Sequence, residues 1–261
     1  MNLFVFLFGL IVGSFLNCVV YRLEKKQSFL QGRSFCPYCK HTLSWQDLIP
    51  VFSFLFLRGK CRYCNKKVSI QYPLVEIATA LLFLLIFNFS PFGRSPAGGQ
   101  TLFWLIVSSF LIIIFVYDLK HFIIPDKVIY PAIIIALIFN FSPYGRSPAG
   151  GQFIIHNSIF AAVGAAIFFL TIVLISQGKW MGVGDIKLAF LMGLLLGFPY
   201  ILVALFFSFL IGAIIGVGLI LAKRKTMKSE IPFGPSLVAG TYTALFFGEN
   251  IVQWYLSLFM I

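Results

Sequence analysis

The sequence predicts an all-α polytopic membrane protein, with about eight transmembrane helices and a small cytoplasmic zinc-binding insertion. Three observations predict it. The 261 residues are 60% hydrophobic and 11% charged, with mean hydropathy +0.97. An ordinary soluble domain is only about 45–50% apolar. Several apolar runs approach or exceed the roughly 20 residues needed to cross a bilayer. The runs are continuous rather than alternating, which favours helices over a closed barrel, the only other spanning solution.

Helices are expected near 2–21, 73–90, 101–119, 127–141, 153–176, 186–198, 200–222 and 235–258. The first run, residues 2–21 of a first transmembrane segment 1–22, has no basic residue before it, and Arg22, Lys25 and Lys26 follow it. A cleaved signal has the reverse arrangement. A retained helix with its N-terminus outside is therefore expected. All 20 Lys and Arg except Arg94 and Arg146 then fall on inner segments. The positive-inside rule accounts for this split, and for the net charge of +12, without any nucleic acid. The expected partner surface is a lipid bilayer.

The polar segment 23–72 is too hydrophilic to span and holds four of the five cysteines. The remainder, 73–261, alternates helix and short loop. Within it, FNFSPFGRSPAGGQ at 87–100 recurs as FNFSPYGRSPAGGQ at 139–152, both in expected outer loops. Their Ser, Pro and Gly content builds turns rather than a packed core. A duplicated insert tolerated in exposed turns and a repeated outer binding loop both remain open.

Cys36-x2-Cys39 and Cys61-x2-Cys64 have the form and spacing of a tetrathiolate zinc site. A segment this poor in aliphatic residues gains its stability from a metal. The expected cytoplasmic side is reducing, where structural disulfides are rare. A redox dithiol and idle thiols are the competing readings. Cys18, in an apolar helix, reads as a small core residue.

Four aspartates occur in the chain. Asp118 closes the run TLFWLIVSSFLIIIFVYDLK, and Asp185 lies in MGVGDIKLAF. A carboxylate at the edge of hydrocarbon is expensive and needs a partner or a function. Two at one membrane face can share a proton and activate water. Asp118 is expected at a helix C-terminus, where negative charge is disfavoured, and Asp185 as an N-cap, where it is favoured. This assigns Asp185 as the ionised base and Asp118 as the protonated acid. Gly182 and Gly184 allow close backbone approach and unusual dihedrals beside the acid. Asp126, after Pro125, reads as a helix cap. No GxSxG, HExxH or Walker pattern is present.

These stretches, in order, are GSFLNCVVYRLE (13–24), CPYCKHTLSWQDLIPVFSFLFLRGKCRYC (36–64), YPLVEIATA (72–80), YDLKHFIIPD (117–126), GVGDIKLAF (182–190) and IPFGPSLVAG (231–240). With them the chain resembles the type IV prepilin peptidases, bacterial GxGD aspartic membrane peptidases. The resemblance implies that Asp118 and Asp185 are the catalytic pair, with Gly182 and Gly184 in the supporting motif. It implies removal of the basic leader from prepilins and pseudopilins at the cytoplasmic face of the inner membrane. It also implies a second reaction, N-methylation of the new terminus from S-adenosylmethionine, with Glu76 in the methyltransferase site. Two alternatives stand beside it: a peptidase without the second activity, and a transporter with a zinc-stabilised cytoplasmic insertion.

Overall fold

The computed structural model describes residues 1–28, 32–89, 98–142, 155–178, 181–222 and 231–258. Most of the repeated insert lies outside them. Of its described residues, 87–88 close one helix, 98–100 open the next and 139–141 close a third, while 89 and 142 are bends. Among the described residues every regular element is a helix. The chain divides into two compact units, Met1–Asn88 and Phe89–Ile261.

In the first unit, α1 (Asn2–Glu24) and α3 (Gln71–Asn88) form an antiparallel pair around the insertion. The register is read from three levels. A Cβ on Gly9 would lie 2.6 Å from Ala80 Cα, and one on Gly13 would lie 2.7 Å from Glu76 Cα. Asn17 Nδ2 donates to the Tyr72 carbonyl at 3.0 Å. Small residues at such crossings let two backbones approach closely inside a membrane. The insertion carries a 3-10 turn, Trp45–Leu48, and the single-turn helix α2 (Phe52–Phe56). Its division from the helices therefore differs from the packing division, which groups α3 with α1.

The second unit holds α4 (Gly98–His121), α5 (Asp126–Phe141), α6 (Ile155–Ser176), α7 (Val183–Leu196), α8 (Tyr200–Leu221) and α9 (Gly234–Ser257). α7 is its centre. Leu188, Ala189, Leu191, Met192 and Leu196 have no exposed surface, and α5, α6, α8 and α9 all pack on α7. A helix apolar on every side belongs in such a position. α8 shows the opposite pattern, with Leu202, Phe206, Ile214 and Val217 facing outward. Burying such surface in lipid is the expected outcome for a helix this apolar.

Among the described residues, five of the expected segments are long and apolar enough to cross a membrane: Asn2–Glu24, Gln71–Asn88, Gly99–His121, His156–Ser176 and Tyr200–Leu221. The expectation of eight meets two short helices and one polar one. α5 and α7 have 16 and 14 residues, about 24 and 21 Å at 1.5 Å per residue, less than a hydrocarbon core of roughly 30 Å. α9 has the length but carries Ser236, Thr241, Glu249, Asn250 and Gln253. The core position of α7 explains its shortness: it is solvated by protein rather than lipid.

Candidate active site

Asp118 lies near the end of α4 and is 4% exposed; Asp185 lies in the first turn of α7 and is 9% exposed. Each carboxylate accepts a main-chain N–H. Asp118 Oδ2 takes that of Gly234 at 3.0 Å. Asp185 Oδ2 takes that of Gly182 at 3.0 Å. Gly182 is the N-cap of α7, so Asp185 is at N3 rather than at the cap expected from sequence. It forms the carboxylate half of a capping box, reaching back to an otherwise orphaned donor.

The expectation of opposite helix-end environments changes for the same reason. Gly234 is the first residue of α9. Asp118 therefore ends one helix while contacting the start of another, where backbone N–H groups favour negative charge. Helix dipoles alone no longer separate the two acids. Sequence reasoning missed Gly234, which lies 116 residues away. The available signal was Pro235 just inside a helix start, which marks the helix but not its partner.

Two glycines make this geometry possible. A Cβ on Gly234 would sit 2.5 Å from Asp118 Oδ2. A Cβ on Gly184 would sit 3.0 Å from Ile124 Cβ, so Gly184 admits the α4–α5 connection against the start of α7. Of the two GxG glycines only Gly184 shows the expected close approach; a Cβ on Gly182 would meet nothing nearer than 3.8 Å, and neither has the expected unusual φ.

Both aspartates open on one cavity of about 440 Å³, whose lining includes Gly182, Gly184, Asp126 and Lys187. Lys187 Nζ lies 2.5 Å from Asp126 Oδ1 and 4.9 Å from the centre of the Tyr130 ring. Asp126 is the first residue of α5, whose N-cap is Pro125, so it is not the helix cap expected from sequence. An exposed pair of this kind adds only about 0–1 kcal/mol, so its consequence is the charge pattern at the cavity edge. Two buried carboxylates opening on one cavity can share a proton and activate a water.

The four cysteines converge separately, in the first unit. Their Sγ atoms all lie within 4.8 Å of one another and could hold a metal ion. The two knuckles are conformational copies. Cys36 N donates to His41 O, as Cys61 N does to Lys66 O. Lys40 and Asn65, one at the end of each, both have φ of 56°. Short antiparallel bridges, Phe35 with Thr42 and Lys60 with Lys67, close them. Burial pushes the Cys36 thiol up, but hydrogen bonds from the Cys39 and Tyr38 backbone and from neighbouring thiols bring it down to about 7. Asp47 locks the second knuckle through Arg62 Nε at 2.7 Å and Tyr63 Oη at 3.2 Å.

Glu76 is 7% exposed. Its Oε2 accepts the Val51 N–H at 2.7 Å. Val51 has φ of 61°, a strained conformation for a β-branched residue, and the carboxylate holds it there. Glu76 shares a cavity of about 280 Å³ with Ser14, Cys36, Leu48, Phe54 and Cys61. The structure thus assembles two clusters from the predicted residues: the aspartates with their glycines, and the cysteines with Glu76.

Fold and site together define an α-helical, multi-pass membrane protein with a buried carboxylate pair, the class to which intramembrane acid hydrolases belong. The description "Bacterial Peptidase A24 N-terminal domain" matches residues 7–89, and "Type IV leader peptidase family" matches 105–217. The chain belongs to the type IV leader peptidase family. It is 35% identical to a prepilin leader peptidase/N-methyltransferase of Bacillus subtilis, over 97% of both chains. A protein of the same name from Aeromonas hydrophila is 32% identical over 98% of this chain and 94% of its own. One from Pseudomonas aeruginosa is 31% identical over 96% and 92%. No solved structure matches the chain. These relatives do not favour the transporter alternative.

Proposed function

We propose that this protein is a membrane aspartic endopeptidase that removes the basic leader of type IV prepilins and pseudopilins, then N-methylates the new terminal residue. The observation that carries the reading is the buried pair Asp118 and Asp185 opening on one cavity, in a chain of this family. One carboxylate, ionised, takes a proton from water as the water attacks the scissile carbonyl. The other, protonated, donates to the carbonyl oxygen or leaving amine. No covalent intermediate forms, and the acids exchange protonation states over the cycle.

The proposed setting is the bacterial inner membrane, with the N-terminus outside and the aspartates at the cytoplasmic face, as the distribution of Lys and Arg implies. The peptidase belongs to 73–261 and the metal site to 23–72. Zinc is the proposed ion. A tetrahedral tetrathiolate with Zn–S of about 2.3 Å has sulfur–sulfur edges near 3.8 Å, and Cys36 Sγ lies 3.9 Å from Cys64 Sγ. There the ion supplies structure rather than reactivity. Release of a leader from a purified prepilin in liposomes tests the reading; a folded protein that releases none overturns it.

Gly234→Ala isolates the positioning of Asp118. The added methyl must displace the carboxylate or the start of α9. A misplacement near 1 Å costs roughly 10²-fold in rate. The expected result is a large fall in kcat with unchanged helix content by circular dichroism.

Methylation requires a donor carrying a labile methyl cation, S-adenosylmethionine, and its sulfonium charge suits a cavity bearing Glu76. Glu76→Gln keeps an oxygen for the Val51 N–H and loses the charge; Glu76→Ala loses both. Both variants are expected to lose methyl transfer and retain cleavage. Only Glu76→Ala should also loosen the Val51 loop, by about 1–3 kcal/mol for the unmet donor, seen as faster proteolysis. Full methylation by Glu76→Gln would remove the chemical role and leave the structural one.

A further inference from the structure

We propose that segment 45–56 of the insertion is a membrane-interface anchor, seated at the headgroup boundary of an anionic leaflet. Several of its apolar side chains point outward. Trp45 is 73% exposed, Phe52 51%, Leu55 63% and Phe56 83%. α2 is a helix with two apolar faces. Phe54 and the C-cap residue Leu57, three apart, line the cavity beside Glu76. Phe52, Leu55 and Phe56, at three- and four-residue spacing, form the other face. A helix facing water would carry polar residues at those positions. Aromatic and aliphatic residues there suit the zone between headgroups and acyl chains.

The depth of the segment follows from its tether. Val51 donates to Glu76, which lies more than a turn inside the apolar span Gln71–Asn88. Glu76 in turn lies level with Gly13 of α1, and α1 runs on to Glu24. The loop is thus pinned beside two spanning helices, at the level of their membrane face rather than beyond their ends. Exposed Arg58, Lys60, Lys66 and Lys67 follow directly. Basic side chains at this level are attracted to an anionic surface. This inference rests on the membrane character of the chain and not on its enzymatic activity.

The test uses full-length, zinc-loaded protein in liposomes of phosphatidylcholine with phosphatidylglycerol. The difference in tryptophan emission between wild type and Trp45→Phe reports Trp45, and a Phe56→Trp variant reports the tip. Spin-labelled lipids carry the quencher near the headgroup or at mid-chain, and acrylamide probes access from water. The expected result is a greater loss of Trp45 emission to the shallow label than to the deep one, with little loss to acrylamide. Replacing phosphatidylglycerol by phosphatidylcholine, or Arg58, Lys60 and Lys67 by Gln, should weaken the loss to the shallow label. Strong quenching by acrylamide places the segment in water and overturns the proposal. Protection from all three quenchers places it against protein and also overturns it. An equal loss in neutral liposomes overturns the anionic preference.

Discussion

Asp118→Asn and Asp185→Asn are each expected to lose leader cleavage by about 10²–10⁴-fold, the usual contribution of positioned acid–base groups. Asn has nearly the same volume and keeps an oxygen to accept the Gly234 or Gly182 N–H. The helix-start contacts therefore survive, and what is lost is the capacity to ionise and carry a proton. Stability should hold or rise, because each replaced carboxylate is buried and an ionised group is costly there. The double variant should be little worse than either single one, since residues acting as a unit are non-additive. Leader release on gels, with circular dichroism as the folding control, reads all three proteins. Wild-type cleavage by either single variant would remove the pair from the mechanism.

Removing the proposed zinc should have the next largest effect, centred on the insertion. Between residues 32 and 70 the buried apolar side chains, among those described, are Cys36 and Cys61. Such a segment has almost no core of its own, and the rest of its order comes from turns and the Asp47 contacts. Structural zinc contributes as much as about 10–16 kcal/mol in small metal-dependent folds. Cys39→Ser with Cys64→Ser, or a strong chelator, is expected to abolish stoichiometric zinc and expose 32–70 to protease. Methyl transfer should fall with it, because Glu76 shares its cavity with Cys36 and Cys61. Leader cleavage should fall less, since both aspartates lie in the other compact unit. A protease-resistant insertion after complete zinc removal would count against the structural role.

How far the site was legible depends on the range of each contact. The cysteine knuckles are local: four residues set each turn, and the spacing of the pair announces a metal site. The aspartates stood out because charge is scarce in this chain. Their environments were less legible. The run ending at Asp118 reports only the helix it belongs to, and the negative end of that helix misstates the site. The N–H that reaches the carboxylate comes from α9, far along the chain. Likewise GVGD looks like a turn capped by Asp185, whereas α7 begins at Val183 and places Asp185 inside its first turn.

Composition, apolar run length and cysteine spacing were enough to indicate a helical membrane protein, an insertion whose four cysteines could hold a metal ion, and the acids worth testing. These are properties of single segments, decided by solvent preference and local geometry. Which helices meet lipid and which meet protein could not be read in that way. α7 and α8 are both strongly apolar, yet α7 is enclosed by four helices and α8 faces outward. Hydropathy measures dislike of water and does not distinguish hydrocarbon from a protein core. Packing alone decided that, and with it the meeting of Asp118 and Asp185 at one cavity, the Gly234 donor and the tether from Glu76 to Val51.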